Sequence, residues 1–499
     1  MATEREVKMG AWAGFELPPL DGIADGVTSV PRIPRNLLAV YYDTPDLRLA
    51  RWGVTVRHRS GDGSGWTVKL PEGEEGPALV RRELTFEGPP EVMPEGAASL
   101  VRAYARNVAL GPVARIRTRR EGVDLLDGEG AVVAEVVDDQ VSVLHAGRVA
   151  ERFREVEVEA GDRVPDGLLE EVVAGLRQAG AGAPDPTPKV IRALGARASA
   201  PPEIAPVTLG RRPAAADVVH QAMAVAVTRI LRHDPGVRIG DDPEDVHQAR
   251  VGTRRLRSDL RTFAPLLDQD WLVGIRDELR WLGGALGAVR DADVLLDRLR
   301  GQAAGLPEVD PAGVAPIFRR LATEREEARG RLLIVLDSGR YVDLLDRLVA
   351  AAQEPPVAKR AGRPAKDVVP DLVARPWRRL RREVKALPKK PPDEALHAVR
   401  IRAKRARYAA EAAAPLLGKR AAAFASALAG LQGVLGDHQD AVFAEAWLRG
   451  VIDGSGAEPA VAVAAEQLIA VQRRDAAANR RAWPEAWDRA SRKKLRSWL

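Results

Sequence analysis

Glu4-Arg5-Glu6-Val7-Lys8 sets two carboxylates and an ammonium at every second position, so a strand would carry all three on one face. The same alternation groups Arg57 with Arg59, Arg115 with Arg117 and Arg119, and Glu155 with Glu157 and Glu159. Valines such as Val54, Val56, Val156 and Val158 take the opposite faces. A solvated sheet face usually mixes signs, because adjacent like charges destabilise it. Here one strand presents three glutamates and another three arginines. Sorted faces of this kind make sense as the walls of an interior, where Arg and Lys grip an oligo-anion and the carboxylates hold a hard divalent cation, Mg²⁺ or Mn²⁺. The competing reading of any one strand is a charged face turned to water over an antiparallel sheet. For Lys8 it is a plain cross-strand ion pair worth ~0.2–1 kcal/mol. His58 alternates away from Arg57 and Arg59 and is expected at the surface. With no Cys in the chain, thiolate metal sites, cysteine nucleophiles and disulfides are excluded.

A second pattern repeats. His247, Arg250, Arg254, Arg255 and Arg257 reappear 150 residues later as His397, Arg400, Lys404, Arg405 and Arg407. Asp291, in LGAVRDADVLL, aligns with Asp440, in LGDHQDAVFAE, at an offset of 149. On a helix His247, Arg250, Arg254, Arg257 and Arg261 fall within an arc of about 80°. The second copy keeps the stripe but has Glu411 at the counterpart of Arg261. A lone basic stripe is usually a solvated face. Two copies in the same order could instead face each other across one basic groove, with Asp291 and Asp440 either orienting the arginines or making ordinary inter-helix pairs.

The elements that must position these residues divide the chain. Its 499 residues exceed one ordinary core, so two or more domains are expected. Before about residue 160 the pattern is period-2 alternation broken by turns such as GDGSG and DGEG, with helical stretches near 88–110 and 165–179. Residues 200–217 are Pro- and Ala-rich and read as a linker. From Val218 onward the pattern is helical. The fold class is therefore α+β in two domains, residues 1–199 and 218–499, with helical copies at about 218–350 and 367–485. Residues 1–200 hold 25 Lys and Arg against 31 Asp and Glu, and residues 201–499 hold 51 against 39. The helical part is thus the candidate for polyanion binding. The N-terminus lacks an apolar signal core and no run reaches ~18 uninterrupted apolar residues, from which a cytoplasmic protein is expected, without membrane partners.

The first part resembles the CYTH family of triphosphate tunnel metalloenzymes. The ExExK of Glu4, Glu6 and Lys8 is followed in order by YYDTPDLRL, VRHR, WTVKLP, VRRELTF, ARIRTRR, REVEVEA and TPKVIRAL. The resemblance implies an eight-stranded antiparallel tunnel around a linear triphosphate. In it Lys8, Arg57, Arg59, Lys69, Arg82 (or Arg81 in its place), Arg115, Arg117 and Lys189 contact phosphate. Glu4, Glu6, Asp138, Glu157 and Glu159 hold metal or position water; Glu135 and Asp138 fall on opposite faces if their strand is regular. Glu4, Glu6, Lys8, Glu157 and Glu159 are then the catalytic set. The second part resembles the CHAD domain, in HQARVGTRRLRS and HAVRIRAKRARY. That implies a duplicated four-helix bundle binding inorganic polyphosphate through His247, Arg250, Arg254, Arg255, His397, Arg400, Lys404 and Arg405, possible association with polyphosphate granules, and pH-sensitive binding through the histidines. The leading expectation is a metal-dependent triphosphatase with a polyphosphate anchor. A non-enzymatic polyphosphate scaffold and a class IV-type adenylate cyclase remain open. Nucleic acid is disfavoured, since the repeats offer only Phe263 and Tyr408 for base stacking.

Overall fold

Alternation of charged and apolar residues builds the first half of the chain in the computed structural model, which describes residues 2–63, 65–75, 78–161, 163–306, 310–454 and 458–499, with side chains described outside 2–4 and 73–75. Its elements are β1 (Ala2–Ala11), β2 (Thr28–Pro31), β3 (Arg35–Asp43), α1 (Arg48–Arg51), β4 (Thr55–Ser60), β5 (Gly65–Glu75), β6 (Ala78–Phe86), α2 (Glu95–Ala105), β7 (Gly111–Leu126), β8 (Val132–His145), β9 (Arg148–Ala160), α3 (Leu168–Gln178) and α4 (Lys189–Leu194). Eight strands close into an antiparallel ring, β7-β3-β4-β5-β6-β1-β9-β8, because β8 pairs back onto β7. The short β2 continues the edge of β7 beyond β3.

This barrel is polar inside and apolar outside. Val7 and Met9 of β1, Val136 of β8 and Val156 and Val158 of β9 point outward and are buried against Leu168, Val172 and Leu176 of α3. The alternate residues Glu6 and Lys8 therefore point inward, where the register sets Glu6 opposite Glu159 and Lys8 opposite Glu157. Part of the interior is apolar: Val190 of α4 packs against Ala39, Tyr41, Ile116 and Val141. On the outer face His58 meets the buried Trp66 edge-on at 5.4 Å between ring centroids. The turn after β4 needs glycine, since Gly61 has φ +107° and a Cβ there would collide with the carbonyl oxygen of Asn36.

The chain divides between residues 203 and 204 into two units. The second is helical: α5 (Ala215–Ile239), α6 (Pro243–Thr262), α7 (Gln269–Ala304), α8 (Pro311–Asp337), α9 (Gly339–Gln353), α10 (Ala365–Lys385), α11 (Asp393–Leu417), α12 (Lys419–Gly454) and α13 (Pro459–Ala490). Local signals set the starts. Asp242, Asp268, Asp310 and Ser338 each cap a backbone N–H, and Pro243 and Pro311 take first-turn positions. Helices α5, α6 and α7 are followed by α10, α11 and α12 at a shift of 150 residues. The two copies meet symmetrically at their starts, where the Ala215 N–H donates to the Arg363 carbonyl and the Ala365 N–H to the Pro213 carbonyl, both at 2.9 Å. Among the described residues no helix is long and apolar enough to cross a membrane.

Leu176 is fully buried between α3 and the barrel. Leu176→Ala is expected to destabilise the barrel unit by about 2–5 kcal/mol, seen as a lower denaturant midpoint for its unfolding with the helical unit's transition unmoved.

Candidate functional site

Inside the barrel a cavity of ≈ 170 Å³ is lined by Glu6, Lys8, Arg57, Arg59, Lys69, Glu157, Glu159 and Lys189, so the structure brings these eight expected site residues together. Glu6, Glu157 and Glu159 each offer a carboxylate oxygen within 4.8 Å of the others. Such an all-oxygen, hard donor set fits a small divalent cation. Cations are threaded through it. The Lys8 ammonium lies 2.5 Å from Glu157 Oε1 and 3.1 Å from Glu6 Oε2, Arg81 pairs with Glu6, and Lys189 reaches Glu157 at 2.8 Å. Lys69 pairs with Glu83 at 2.8 Å, and Arg59 with Asp62 of the β4–β5 turn at 2.7 Å.

Four expectations fall elsewhere. Arg82 points outward to Glu72 at 2.6 Å, while Arg81 holds the inward position. Arg115 and Arg117 are exposed on the outer face of β7, whose inward residues are Ile116, Thr118 and Arg120; Arg117 lines an outer groove with Arg119 and Arg152. Asp138 also faces out, taking the Arg154 guanidinium at 2.8 Å, and its neighbour Asp139 faces in. The Glu4 side chain lies outside the described residues; its backbone sits opposite Arg81. Sequence reasoning missed Arg32, Arg35, Tyr41, Glu83, Arg120 and Glu135 in the lining, and Asp139 and Glu155 as partners of Lys189 at 2.8 and 2.9 Å. The signal for Glu135 and Asp139 was parity, since they share a face of β8 opposite Glu159 and Glu155.

In the helical unit α6 and α11 carry the repeated stripe. Arg250 pairs with Asp291 at 2.9 Å, and His397 Nδ1 hydrogen-bonds the Gln439 side chain at 2.9 Å. Arg254 lies 5.5 Å from the ring of Tyr408, a residue of the opposite copy. The guanidinium of Arg250 passes over Gly287 of α7, and that of Arg400 over Gly436 of α12 in the same way. Arg255 and Arg405 sit on another flank. Arg255 pairs with Glu411 at 2.5 Å, and Arg405 lines a separate pocket with Arg261.

A CYTH domain model matches residues 14–187, and a CHAD domain model matches residues 221–449. Two uncharacterized proteins of Mycobacterium tuberculosis are each 35% identical over 454 residues, covering 85% of this chain and 84% of theirs. The chain belongs to the CYTH–CHAD proteins. Among solved structures it is similar to PptA from Streptomyces chartreusis, at 27% identity over 55% of this chain and 99% of that one with a TM-score of 0.48. It is also similar to the CHAD domain from the plant Ricinus communis, at 27% identity over 57% and 95% with the same TM-score. The CYTH match begins after Lys8, so pairing of β1 with β9, not the family model, is what ties Glu6 and Lys8 to the CYTH barrel.

Electrostatics in the CYTH domain follow from this packing. Burial alone would raise the Glu157 pKa, yet Lys189, Lys8 and Arg120 together hold it well below the usual carboxylate range. Burial opposes the charge on Lys189 as well, and Asp139, Glu157 and Glu155 reverse that and raise its pKa. For the Tyr41 phenol, burial acts upward, but Arg57, Lys189 and Lys8 prevail and lower it. The CHAD domain behaves in the opposite way. Lys404, half-buried beside Arg254, Arg400, Arg250 and Arg257, is pushed down to about 7 by burial and then by those like charges. Burial and Arg290 lower the pKa of His247. A cage of mutually repelling cations is suited to receiving a polyanion.

Because Lys404 releases its proton near pH 7 when folded and near 10.4 when unfolded, the unfolded state holds more protons between those values, and stability rises with pH across that window. The thermal midpoint of the CHAD domain is expected to climb from about pH 7 toward about pH 10 in the native protein, and to climb less in Lys404→Gln.

Proposed function

We propose that the CYTH domain is a metal-dependent triphosphatase that cleaves a linear inorganic or organic triphosphate, and that the CHAD domain binds inorganic polyphosphate. The observation that carries the first part is the convergence of Glu6, Glu157 and Glu159 within 4.8 Å in a cavity that Lys8, Arg57, Arg59, Lys69 and Lys189 also line. Phosphoryl transfer asks mainly for positioning and for neutralisation of charge on the transferred group, and both are available here. Lys8, Arg57, Arg59 and Lys69 contact phosphate oxygens, with Arg81, Arg120 and Lys189 adding positive charge around them. Glu6, Glu157 and Glu159 hold the Mg²⁺ or Mn²⁺, which when bound supplies Lewis-acid stabilisation of phosphate oxygens. Glu157 remains ionised at neutral pH under the influence of Lys189, Lys8 and Arg120, so a carboxylate is present to orient water. The outward set of Arg115, Arg117 and Asp138 takes no part in this scheme.

The second part is supported by the duplicated stripe of His247, Arg250, Arg254, His397, Arg400 and Lys404, whose repeated cations match a repeated phosphate. The protein is then cytoplasmic and associated with polyphosphate granules.

Phosphate release from tripolyphosphate with Mg²⁺ is expected from the full chain, falling about 100-fold in a folded Glu6→Gln/Glu157→Gln variant and on chelation of the metal. Release that survives the double substitution unchanged would exclude this site. Polyphosphate affinity is expected to weaken between about pH 6 and about pH 8 as Lys404 loses its charge, and to flatten over that range in Lys404→Arg; calorimetric titration at several pH values reads both.

A further inference from the structure

A pocket of ≈ 160 Å³ opens between α6, α10 and α11, where the α6 stripe ends at Arg261. Its charged lining is Arg261, Arg375, Arg379, Arg402 and Arg405, with no carboxylate among the lining residues. Arg402 has Glu383 at 3.4 Å. The other four make no ion pair among the described residues. Leu372 and Pro376 give the pocket an apolar side.

Internal duplication supplies the control. Arg405 is the counterpart of Arg255 at the 150-residue shift. In its own copy Arg255 is neutralised twice, by Asp259 at 3.3 Å and by Glu411 at 2.5 Å from the opposite copy. At the positions equivalent to those carboxylates, Arg405 has Ala409 and Arg261. Both acids have gone, and one has been replaced by a cation. Burial and then Arg405 push the Arg261 pKa down to about 10, and Arg402 and Arg379, after burial, act on Arg405 in the same direction. Converging guanidinia that repel each other are costly to keep without a counter-anion, and their planar forks match phosphate oxygens.

We infer that this pocket is a binding site for the dianionic end of a phosphomonoester, whose phosphate sits among Arg261, Arg375 and Arg405 and whose apolar part rests on Leu372 and Pro376. The sister position, closed by Glu411, is filled by the protein's own carboxylate, so there is one such site per chain. A terminal phosphate of an inorganic chain shares the same chemistry, and the probes below separate the two sources.

The test titrates the full chain with phenyl phosphate and, separately, with pyrophosphate, in native protein, in Arg261→Glu and in Arg375→Gln. Arg261→Glu copies the arrangement at Glu411, so it is expected to weaken phenyl phosphate binding about tenfold or more while the thermal midpoint holds or rises. Arg375→Gln is expected to weaken binding with the fold intact, and it stands in should Arg261→Glu fail to fold. Affinity for long polyphosphate is expected to stay near the native value in Arg375→Gln, which lies off the α6 stripe. Binding of phenyl phosphate in preference to pyrophosphate supports the phosphomonoester. Preference for pyrophosphate assigns the pocket to inorganic chain ends and overturns the apolar contact. Absence of binding in native protein, unchanged binding in both variants, or a parallel loss of polyphosphate affinity in Arg375→Gln overturns a separate site.

Discussion

A carboxylate taken out of water is tolerated only where cations replace its hydration, and the barrel interior is organised around meeting that condition at Glu157. Lys8, Arg120 and Lys189 reach it from three elements, β1, β7 and α4. Each of these cations then needs a further acid: Lys8 has Glu6, Arg120 has Asp139, and Lys189 has Asp139 and Glu155. The network therefore ties the first strand to the last helix of the unit, over almost two hundred residues of chain, through charge alone. Apolar burial, which usually fills a small barrel, lies largely outside it against α3, and inside it is confined to the cluster around Val190.

The helical unit solves a related problem with the opposite sign. Its stripe is an excess of cations, offset by few acids, such as Asp291 beside Arg250, and by the aromatic ring of Tyr408 beneath Arg254. Where the barrel balances its charges internally, the helical unit leaves them strained against one another. Lys404 registers that strain, its proton held less tightly than an ordinary lysine holds one.

Both folds were legible in the sequence because each has a clean period. The barrel strands alternate, the helices repeat at 150 residues, and β1 and β9 declared their inward residues directly: Glu6 and Lys8, then Glu157 and Glu159. What misled was β7. Sorting by charge puts Arg115, Arg117 and Arg119 on the working face, but α4 brings Val190 into the barrel at the level of Ile116, so there the apolar parity points in and the arginines meet solvent. Farther along the same parity reaches Arg120, which carries charge inward. Adjacent pairs were equally hard to separate: Arg81 from Arg82 and Asp138 from Asp139 differ by one position, and only the pairing register fixes which side each takes. Arg32 and Arg35, flanking Ile33 in the lining, belong to no alternating run long enough to announce them.

A symmetric dimer of separate chains must place the same residue at both equivalent positions, so any change appears twice. Joining the two copies in one chain lifts that obligation. Arg261 and Glu411 occupy matching places and carry opposite charges, a difference two identical subunits could not encode. The fused pair can thus keep one flank for holding itself together and release the other for a different task, with a stoichiometry of one where symmetry would have imposed two.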